Sequence, residues 1–269
     1  MLELIAYLLM FFDHIAKFLK MKVNNFNPIL GLLSFPIFAY MVARSLRNKK
    51  NKDEYIVRLL IFSFVSQIPF ILMIFGMPKT SDLNSGLDKI IYTLNFFLQK
   101  LNVGFTLLLG AISIKMIENN KENLLNKIIF LSIFVIAANL METDYRGYGV
   151  LLIVLFYYIK SLPKMILYMS LLNFVNILYT YFLVTDIRRN ELLTINTRSV
   201  IGIMALPLIY FLGVKFEDKY KNRMSKQNIK IDEKEKNRIK KKVFKVLKYS
   251  IYPVHMLLIY IFSILNIFV

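Results

Sequence analysis

Residues 57–76 read VRLLIFSFVSQIPFILMIFG, a run of twenty positions with one charged side chain, Arg58. A helix needs about 20 mostly apolar residues to cross the hydrocarbon core of a bilayer. Lipid offers the backbone no hydrogen-bond partners, so only helices and closed barrels span it, and barrel strands read as about ten residues of alternation. This uniformly apolar run therefore predicts a transmembrane helix.

The same pattern recurs along the chain, where long apolar blocks alternate with short polar strips. Of the 269 residues 57% are hydrophobic, with a mean hydropathy of +0.53. This combination is typical of a membrane-spanning bundle. We predict an all-α, polytopic integral membrane protein that forms a single transmembrane domain over 1–269. Its spans, about nine, are 3–19, 28–43, 57–76, 101–117, 128–141, 147–160, 165–184, 198–214 and 249–268.

Segment 87–101 differs from the spans because its polar residues are interleaved with apolar ones. The apolar residues fall on one helical face: Leu87, Ile90, Ile91, Leu94, Phe97, Leu98 and Leu101. The spacing predicts an amphipathic helix that lies in the outer membrane interface. It is a candidate lid over an outward-facing site.

The distribution of positive charge predicts the orientation. The net charge is +18, and the connections between spans carry 25 Lys and Arg on one side and 10 on the other. The richer side is expected in the cytoplasm, which places the N-terminus inside. Loop 215–248 holds fourteen of these residues. We expect it to lie near anionic lipid rather than on nucleic acid; a docking surface for an anionic cytosolic ligand is the alternative.

Several chemistries find no support in the sequence. There is no Cys and there are two His, which excludes disulfides and Cys nucleophiles and argues against a His-rich metal site. Walker-type loops, G-x-S-x-G and H-E-x-x-H are absent, so ATP hydrolysis, serine hydrolysis and zinc proteolysis are unsupported. We expect no metal. The first span is not read as a cleavable signal peptide, because it carries Asp13 and His14 and no basic n-region.

Asp13 and His14 are the leading candidates for catalysis. Ionisable residues at bilayer depth are costly and are functional candidates by default. At 1.5 Å per residue, His14 lies about 15 Å beyond Leu4, near the middle of the membrane. Histidine is the usual general base, and a carboxylate can stabilise its imidazolium. In the structural alternative, Asp13 pairs with Lys17 at i, i+4 and His14 bonds a neighbouring helix.

His255 stands in the motif Tyr252-Pro253-Val254-His255, early in the last span. Counted from Tyr249, it lies about 9 Å inside the inner edge of the membrane. His14 and His255 are therefore expected within about 6 Å of one another in depth, where both could line one cavity. The alternative is a structural hydrogen bond beside a proline kink.

Five further polar residues lie in or beside the spans, and each has a structural alternative. An arginine at the inner end of a span can act as a positive-inside anchor, polar residues at i, i+4 can bind a neighbouring helix, and an aspartate in a turn can cap the helix that begins near Gly147. The candidates are Arg58 and Gln67 in the third span, Asn102 and Thr106 in the fourth, and Asp144 in an outer turn.

Taken together, these residues and their order resemble the TraX family. No single motif is specific, but the set runs over nearly the whole chain. The matching stretches are Asp13-His14, Gly31 with Ser34-Phe35-Pro36-Ile37-Phe38-Ala39-Tyr40, Tyr55-Ile56-Val57-Arg58-Leu59, Ser66-Gln67-Ile68-Pro69-Phe70, Asn102-Val103-Gly104-Phe105-Thr106 with Gly110, Asp144-Tyr145 with Gly149-Val150, Ala205-Leu206-Pro207 and Tyr252-Pro253-Val254-His255.

The resemblance implies a multi-pass protein of the bacterial inner (plasma) membrane that N-acetylates a pilin in conjugation systems, with acetyl-CoA as donor. Three places depart from the family pattern: Leu32 stands where the family has Arg, Arg146 stands where it has Gly, and the His-Thr pattern expected around 44–50 is missing. By motif position, His14 and Asp13 are the catalytic candidates. The candidates for substrate or donor binding are Arg58, Gln67, Asn102, Thr106, Asp144, Tyr252 and His255.

We therefore hypothesise a membrane acyltransferase. Acyl-CoA would enter from the cytoplasm, and the acceptor would be an amine or hydroxyl of a pilin-like peptide, a secreted peptide or an envelope glycan. The partners expected are acyl-CoA, that acceptor and membrane lipid. Two alternatives stay open: a transporter or permease that uses the same polar groups, and a non-enzymatic membrane assembly or immunity factor. An inverted repeat would favour transport, and the sequence reveals none.

Overall fold

The computed structural model describes residues 2–22, 30–48, 51–78, 86–120, 123–183, 199–215 and 234–265. Over these ranges about 90% of the residues are helical and none forms a β-strand. An isolated bridge joins Leu101 to Thr143 where two connections run side by side. The prediction of an all-α fold is confirmed.

Eight regular helices are followed by an irregular segment and a long last helix in the described chain. A short 3-10 turn, Leu30–Leu33, precedes the second of them. The helices are α1 (Leu2–Lys22), α2 (Ser34–Asn48), α3 (Lys52–Phe75), α4 (Gly86–Leu98), α5 (Val103–Asn119), α6 (Leu124–Leu140), α7 (Arg146–Tyr158), α8 (Leu162–Leu183), the irregular segment Ser199–Val214 and the last helix Lys234–Ile264.

Each stretch predicted as a span coincides with helical structure, and the amphipathic segment 87–101 corresponds to α4. The main difference lies in the basic loop 215–248. Residues 216–233 are outside the described part, but from Lys234 onward the loop belongs to the last helix. The last predicted span begins at 249, whereas the helix that contains it extends back to Lys234. Helical hydrogen bonds can continue from an apolar stretch into a polar one, so the end of an apolar span does not fix the end of a helix.

Two described helices are long and apolar enough to cross a bilayer. They are α3 and the stretch Leu162–Phe182 within α8. Both expose wide apolar faces, as at Phe64 (59%) and Phe174 (59%), which is what lipid contact requires. These helices are consistent with a membrane location. The nine-span arrangement and its orientation remain predictions.

The main core lies between α2, α5 and α7. Large side chains from these helices are fully buried there, among them Phe35, Tyr40 and Phe156. Close packing depends on small residues: a Cβ built on Gly110 of α5 would lie 2.5 Å from Ile153 Cδ1 of α7. Small residues at such contacts let helix backbones approach closely, as is common between membrane helices.

A second, smaller core joins α1, α3 and the last helix. It contains Met10, Phe70, Tyr252, Met256 and Ile259. Helix α1 also packs on α2 and on the Leu30–Leu33 turn. It therefore lies between the two cores, and its middle is held against both the last helix and the turn.

The segment Ser199–Val214 does not form one continuous α-helix. It contains a 3-10 turn, Gly202–Ala205, then Leu206–Leu208, then a π-helical stretch, Ile209–Val214. Its glycines allow tight packing on α2, since a Cβ on Gly213 would lie 2.5 Å from the Tyr40 ring. π-helical geometry is rare and occurs often at functional sites.

Candidate active site

The two histidines of the chain meet in the interior. His14 comes from α1 and His255 from the last helix; their side chains are 4% and 6% exposed. His14 Nδ1 lies 2.5 Å from His255 Nε2, and the rings are nearly parallel, with an interplanar angle of 9°. The sequence predicted that the two residues lie at a similar depth, and in the structure their side chains form a direct hydrogen bond.

The contacts of His255 determine which nitrogens carry hydrogen in this pair. His255 Nδ1 lies 2.7 Å from the carbonyl oxygen of Ile251. A carbonyl only accepts, so Nδ1 of His255 must donate, and Nε2 of the neutral ring must accept. The proton between the rings then belongs to His14 Nδ1, and the lone pair of neutral His14 is on its Nε2. This is the tautomer in which His14 Nε2 can take a proton.

Aromatic rings surround the histidine pair. Tyr252 lies edge-on to both imidazoles, with centroid distances of 5.6 Å to His14 and 5.7 Å to His255. Phe11 contacts His255 at 6.0 Å. These neighbours exclude water on their side, and in a low-dielectric site a hydrogen bond between the rings is stronger than in solution. Tyr252 is thus next to the pair, as its place in the motif suggested.

Asp13 lies beside the 3-10 turn. A Cβ added to Gly31 would lie 2.3 Å from Asp13 Cβ and 2.4 Å from its Oδ1, so the carboxylate side chain fills the space that any larger residue would need. The turn is tied to α2 by a 2.7 Å hydrogen bond from Ser34 Oγ to the Gly31 carbonyl. Neighbours on a helix point about 100° apart, and here Asp13 packs on the turn while His14 contacts the last helix. The side chain of Lys17, the alternative partner of Asp13, lies outside the described part.

Tyr145, between α6 and α7, links the turn region to α5. Its ring stacks on Phe35 with a centroid distance of 3.5 Å. Its backbone N–H donates to Thr106 Oγ1 at 3.4 Å, and Gly149 leaves room for Thr106 and Phe35 to approach. Burial, followed by the nearby charge of Asp13, raises the pKa of Tyr145 well above its ordinary value. Its hydroxyl therefore stays protonated near neutral pH.

Gln67 and Asn102 form a separate hydrogen-bond network between α3 and α5. Gln67 Nε2 donates to the carbonyls of Phe97 and Lys100, both at 2.7 Å, and Oε1 accepts from Asn102. Asn102 also donates to the Ser63 carbonyl and accepts from Gly104 N–H, which caps α5. These contacts fix the connection between α4 and α5. They fit the structural interpretation of both residues better than a substrate-binding one.

Arg58 stands near the start of α3 at the entrance to an aromatic seam. It forms an ion pair with Glu54 and a hydrogen bond to Tyr249 of the last helix. The Phe62 ring contacts both Tyr249, at 5.8 Å, and Tyr252, at 5.3 Å. Because Tyr252 touches His14, the seam connects Arg58 to the histidine pair.

Asp144 does not cap α7, so that alternative is wrong. The cap residue is Tyr145, without a side-chain cap hydrogen bond, and Gly147 N–H donates to Asn139 Oδ1 at 3.1 Å. Asp144 instead lies 3.5 Å from Lys100 Nζ. The next residue but one, Arg146, has a φ of 47°, in the left-handed region that favours glycine. This explains why glycine is the usual residue at that place in the motif.

One polar cluster was missed by the sequence reasoning. Asn173 of α8 is 2% exposed, and its Oδ1 accepts from Ser199 Oγ at 2.6 Å. The Tyr148 hydroxyl lies beside both. In the sequence this cluster is visible only as an asparagine within an apolar span. The asparagine is uncharged, and its partner lies 26 residues later in the chain.

The histidine pair is unsuited to chelating a metal. Ligand nitrogens lie about 2.0–2.1 Å from a zinc ion, so two of them 2.5 Å apart would enclose an angle far below tetrahedral. Within the described ranges, no group of three or more His, Asp or Glu residues is placed to hold an ion. The pair forms a hydrogen bond between two helices, which is also the contact that the structural alternative for His14 predicts.

Comparison with known proteins gives one match. A family model described as TraX protein matches residues 1–263, essentially the whole chain. No curated protein and no solved structure shows significant similarity to it.

Proposed function

The chain belongs to the TraX family, and on that premise we propose that it is a membrane-embedded acyltransferase. It would transfer an acetyl group from acetyl-CoA to an amine or hydroxyl of a pilin-like peptide, a secreted peptide or an envelope glycan. The observation that carries the proposal is the contact between His14 and His255, with its defined tautomer. The family supports a pilin-related role, and the pair supplies the chemistry that acetylation requires.

In the proposed step His14 Nε2 takes the proton of the acceptor as its nitrogen or oxygen attacks the thioester carbonyl. The new N–C or O–C bond forms, the C–S bond breaks, and the imidazolium returns its proton to the leaving thiolate, so that the products are the acetylated acceptor and free CoA. A positioned base contributes about 10²–10⁴-fold to such a reaction. While His14 is charged, its Nδ1–H bond to His255 becomes charge-assisted and stronger.

The donor is proposed to enter along the seam between α3 and the last helix. Arg58 stands at the entrance of this seam. Its guanidinium can release the exposed Glu54 and bind a phosphate of CoA instead. From there Tyr249, Phe62 and Tyr252 lead inward to His14. On the predicted topology, with nine spans and a cytoplasmic N-terminus, this entrance faces the compartment where acyl-CoA is made.

The central test is His14→Ala in a labelled acetyl-CoA assay on detergent-purified protein. We expect transfer to fall by at least about 10²-fold, while thermal melts stay close to the wild type because α1 keeps its other contacts in both cores. The matched control is Phe12→Ala, which removes an exposed ring of α1 that contacts Phe11 rather than either imidazole. Full activity in His14→Ala would disprove the mechanism.

A transporter remains the second candidate, and the irregular segment Ser199–Val214 favours it, since broken helices form the binding sites of many transporters. A transport assay and an acetyl-transfer assay distinguish the two functions. A transporter in proteoliposomes would move substrate without consuming acetyl-CoA, and His14→Ala would alter its pH dependence rather than acetyl transfer. A non-enzymatic assembly factor would do neither.

A further inference from the structure

A groove that opens to the surface lies between α5, α6 and α7, at the end of the bundle where α5 and α7 end and α6 begins. Its volume is about 250 Å³. The residues that line it come from all three helices: Ile117 of α5, Lys127, Ile128 and Leu131 of α6, and Val154 and Tyr158 of α7. None of them belongs to the candidate active site or to the seam, so the groove needs an explanation of its own.

The walls of the groove are apolar from its floor to its open side. Ile117 and Val154 are buried, whereas Ile128 and Tyr158 are more than half exposed. An apolar groove that faced water would leave this surface without a partner. On the lipid-facing side of a membrane protein, a hydrocarbon chain can fill such a groove. The shape and lining of the groove therefore favour an apolar, chain-like occupant.

A positive charge stands at the rim of the groove. Lys127 lies in the first turns of α6 and is partly buried, and it forms no ion pair with any residue that the structure describes. Glu118, which follows Ile117 in α5, binds Lys52 and Tyr157 instead. The ammonium group therefore keeps its full charge beside the apolar walls. An occupant with a negative group at one end of its chain would complement it.

An anionic phospholipid has both features. One acyl chain can lie along the apolar walls, while the phosphate at its head accepts hydrogen bonds from the Lys127 ammonium and the Tyr158 hydroxyl. A lysine can bury its stem against hydrocarbon and still place its charge at the level of the headgroups. On the predicted topology this end of the bundle faces the cytoplasm, where basic pockets between membrane helices bind anionic headgroups.

We propose that the groove between α5, α6 and α7 binds one acyl chain of an anionic phospholipid, whose phosphate is held by Lys127 and Tyr158. The inference rests on the membrane location of the chain and does not involve acetyl transfer. The bound lipid would fill the space between α6 and the two helices that it packs on, and would thereby hold the three together.

The absence of Trp from the sequence allows a direct test. Ile128→Trp places a single fluorophore in the wall of the groove. Leu167→Trp is the matched control, because Leu167 is also more than half exposed and stands about as far from the start of α8 as Ile128 does from the start of α6. Each full-length variant is reconstituted in mixed bilayers of phosphatidylglycerol and phosphatidylcholine, in which one lipid at a time carries bromine on its chains and quenches the fluorophore on contact.

We expect phosphatidylglycerol to be preferred over phosphatidylcholine about fivefold at Ile128→Trp, as for one lysine near a membrane surface, and not to be preferred at Leu167→Trp. Adding Lys127→Gln to Ile128→Trp should abolish the preference. Adding Lys164→Gln, which neutralises an exposed lysine at the same end of the bundle outside the groove, should leave it intact.

Three results would overturn the proposal. Equal preference at the two fluorophores would show only a general attraction of anionic lipid to this end of the bundle. A preference that survives Lys127→Gln would mean that the lysine does not bind the headgroup. No quenching by either lipid at Ile128→Trp, as expected if a second copy of the chain covers the groove, would exclude a lipid there. If Ile128→Trp does not fold, Tyr158→Trp replaces it as the reporter in the groove and is judged by the same comparisons.

Discussion

Replacing His255 with leucine removes the acceptor to which His14 Nδ1 donates, 2.5 Å away. Such a bond contributes about 1 kcal/mol between neutral groups and about 1.5–3 kcal/mol when one partner is charged. His14 is neutral before the proposed proton transfer and charged after it, so the difference, about 0.5–2 kcal/mol, raises the barrier. We expect kcat to fall about two- to thirtyfold, with the KM for acetyl-CoA nearly unchanged.

The conservative variant His255→Gln distinguishes positioning from packing. The glutamine side chain can present an acceptor near the position of Nε2, so most of the rate should return, whereas a purely structural histidine would give equal losses in both variants. A second check combines His255→Leu with His14→Ala. If His255 acts only through His14, the double variant should be no slower than His14→Ala alone.

The assay is steady-state transfer of labelled acetyl groups with both substrates varied. The sequence had suggested His255 as a donor-binding residue, which would raise the KM for acetyl-CoA and leave kcat intact. That outcome, or equal rates in the leucine and glutamine variants, would refute the role argued from the contact. A thermal melt of each variant excludes loss of fold as the cause.

Three further predictions concern the scaffold. Gly31→Ala should destabilise the protein by about 1–3 kcal/mol and slow transfer, because the new Cβ would overlap Asp13; a melt little changed from wild type would contradict this. Gln67→Leu leaves the carbonyls of the α4–α5 connection without their donor and should lower stability by about 1–3 kcal/mol, yet the folded fraction should keep its KM values. Reporter fusions should place 44–56 and 215–248 in the cytoplasm and 185–197 outside. An external signal from 215–248 would mean that the entrance proposed at Arg58 faces away from the cytoplasm, and would contradict the proposed donor route.

The positions of the helices could be read from the sequence because burial in lipid requires long apolar runs, and such runs leave few alternatives to a helix. The irregular geometry of Ser199–Val214 could not, since its residues are as apolar as those of a regular span. Pro207 indicates that one backbone hydrogen bond is missing, but not that a 3-10 turn and a π-helical stretch lie on either side. In the structure this segment packs on Pro36 and Tyr40 of α2 through Gly202 and Gly213, and that packing is not visible in the sequence.

Candidate residues were easier to find than their partners. Polar atoms inside apolar runs are visible in any sequence, and Gln67 and His255 were noted for that reason. Their roles depend on the atoms opposite, and the carbonyls that bind Gln67 belong to a connection that the sequence identifies only as the end of an amphipathic helix. Asn173 was missed because its partners, Ser199 and Tyr148, lie far from it in the sequence.

Asp13 and His14 are adjacent in sequence, but their side chains contact different elements of the fold. The hundred-degree step of the helix turns His14 toward His255 and the aromatic seam, and Asp13 toward Gly31. In the proposed mechanism His255 is the partner of the His14 imidazolium, through His14 Nδ1, and the Asp13 carboxylate beside Gly31 would bind the charged acceptor. A protonated acceptor amine would be drawn to that charge. It loses one proton to solvent before it attacks, and His14 Nε2 takes a second as the N–C bond forms. On this reasoning Asp13→Asn should raise the KM for an amine acceptor more than it lowers kcat, whereas a carboxylate that served only His14 would affect kcat alone.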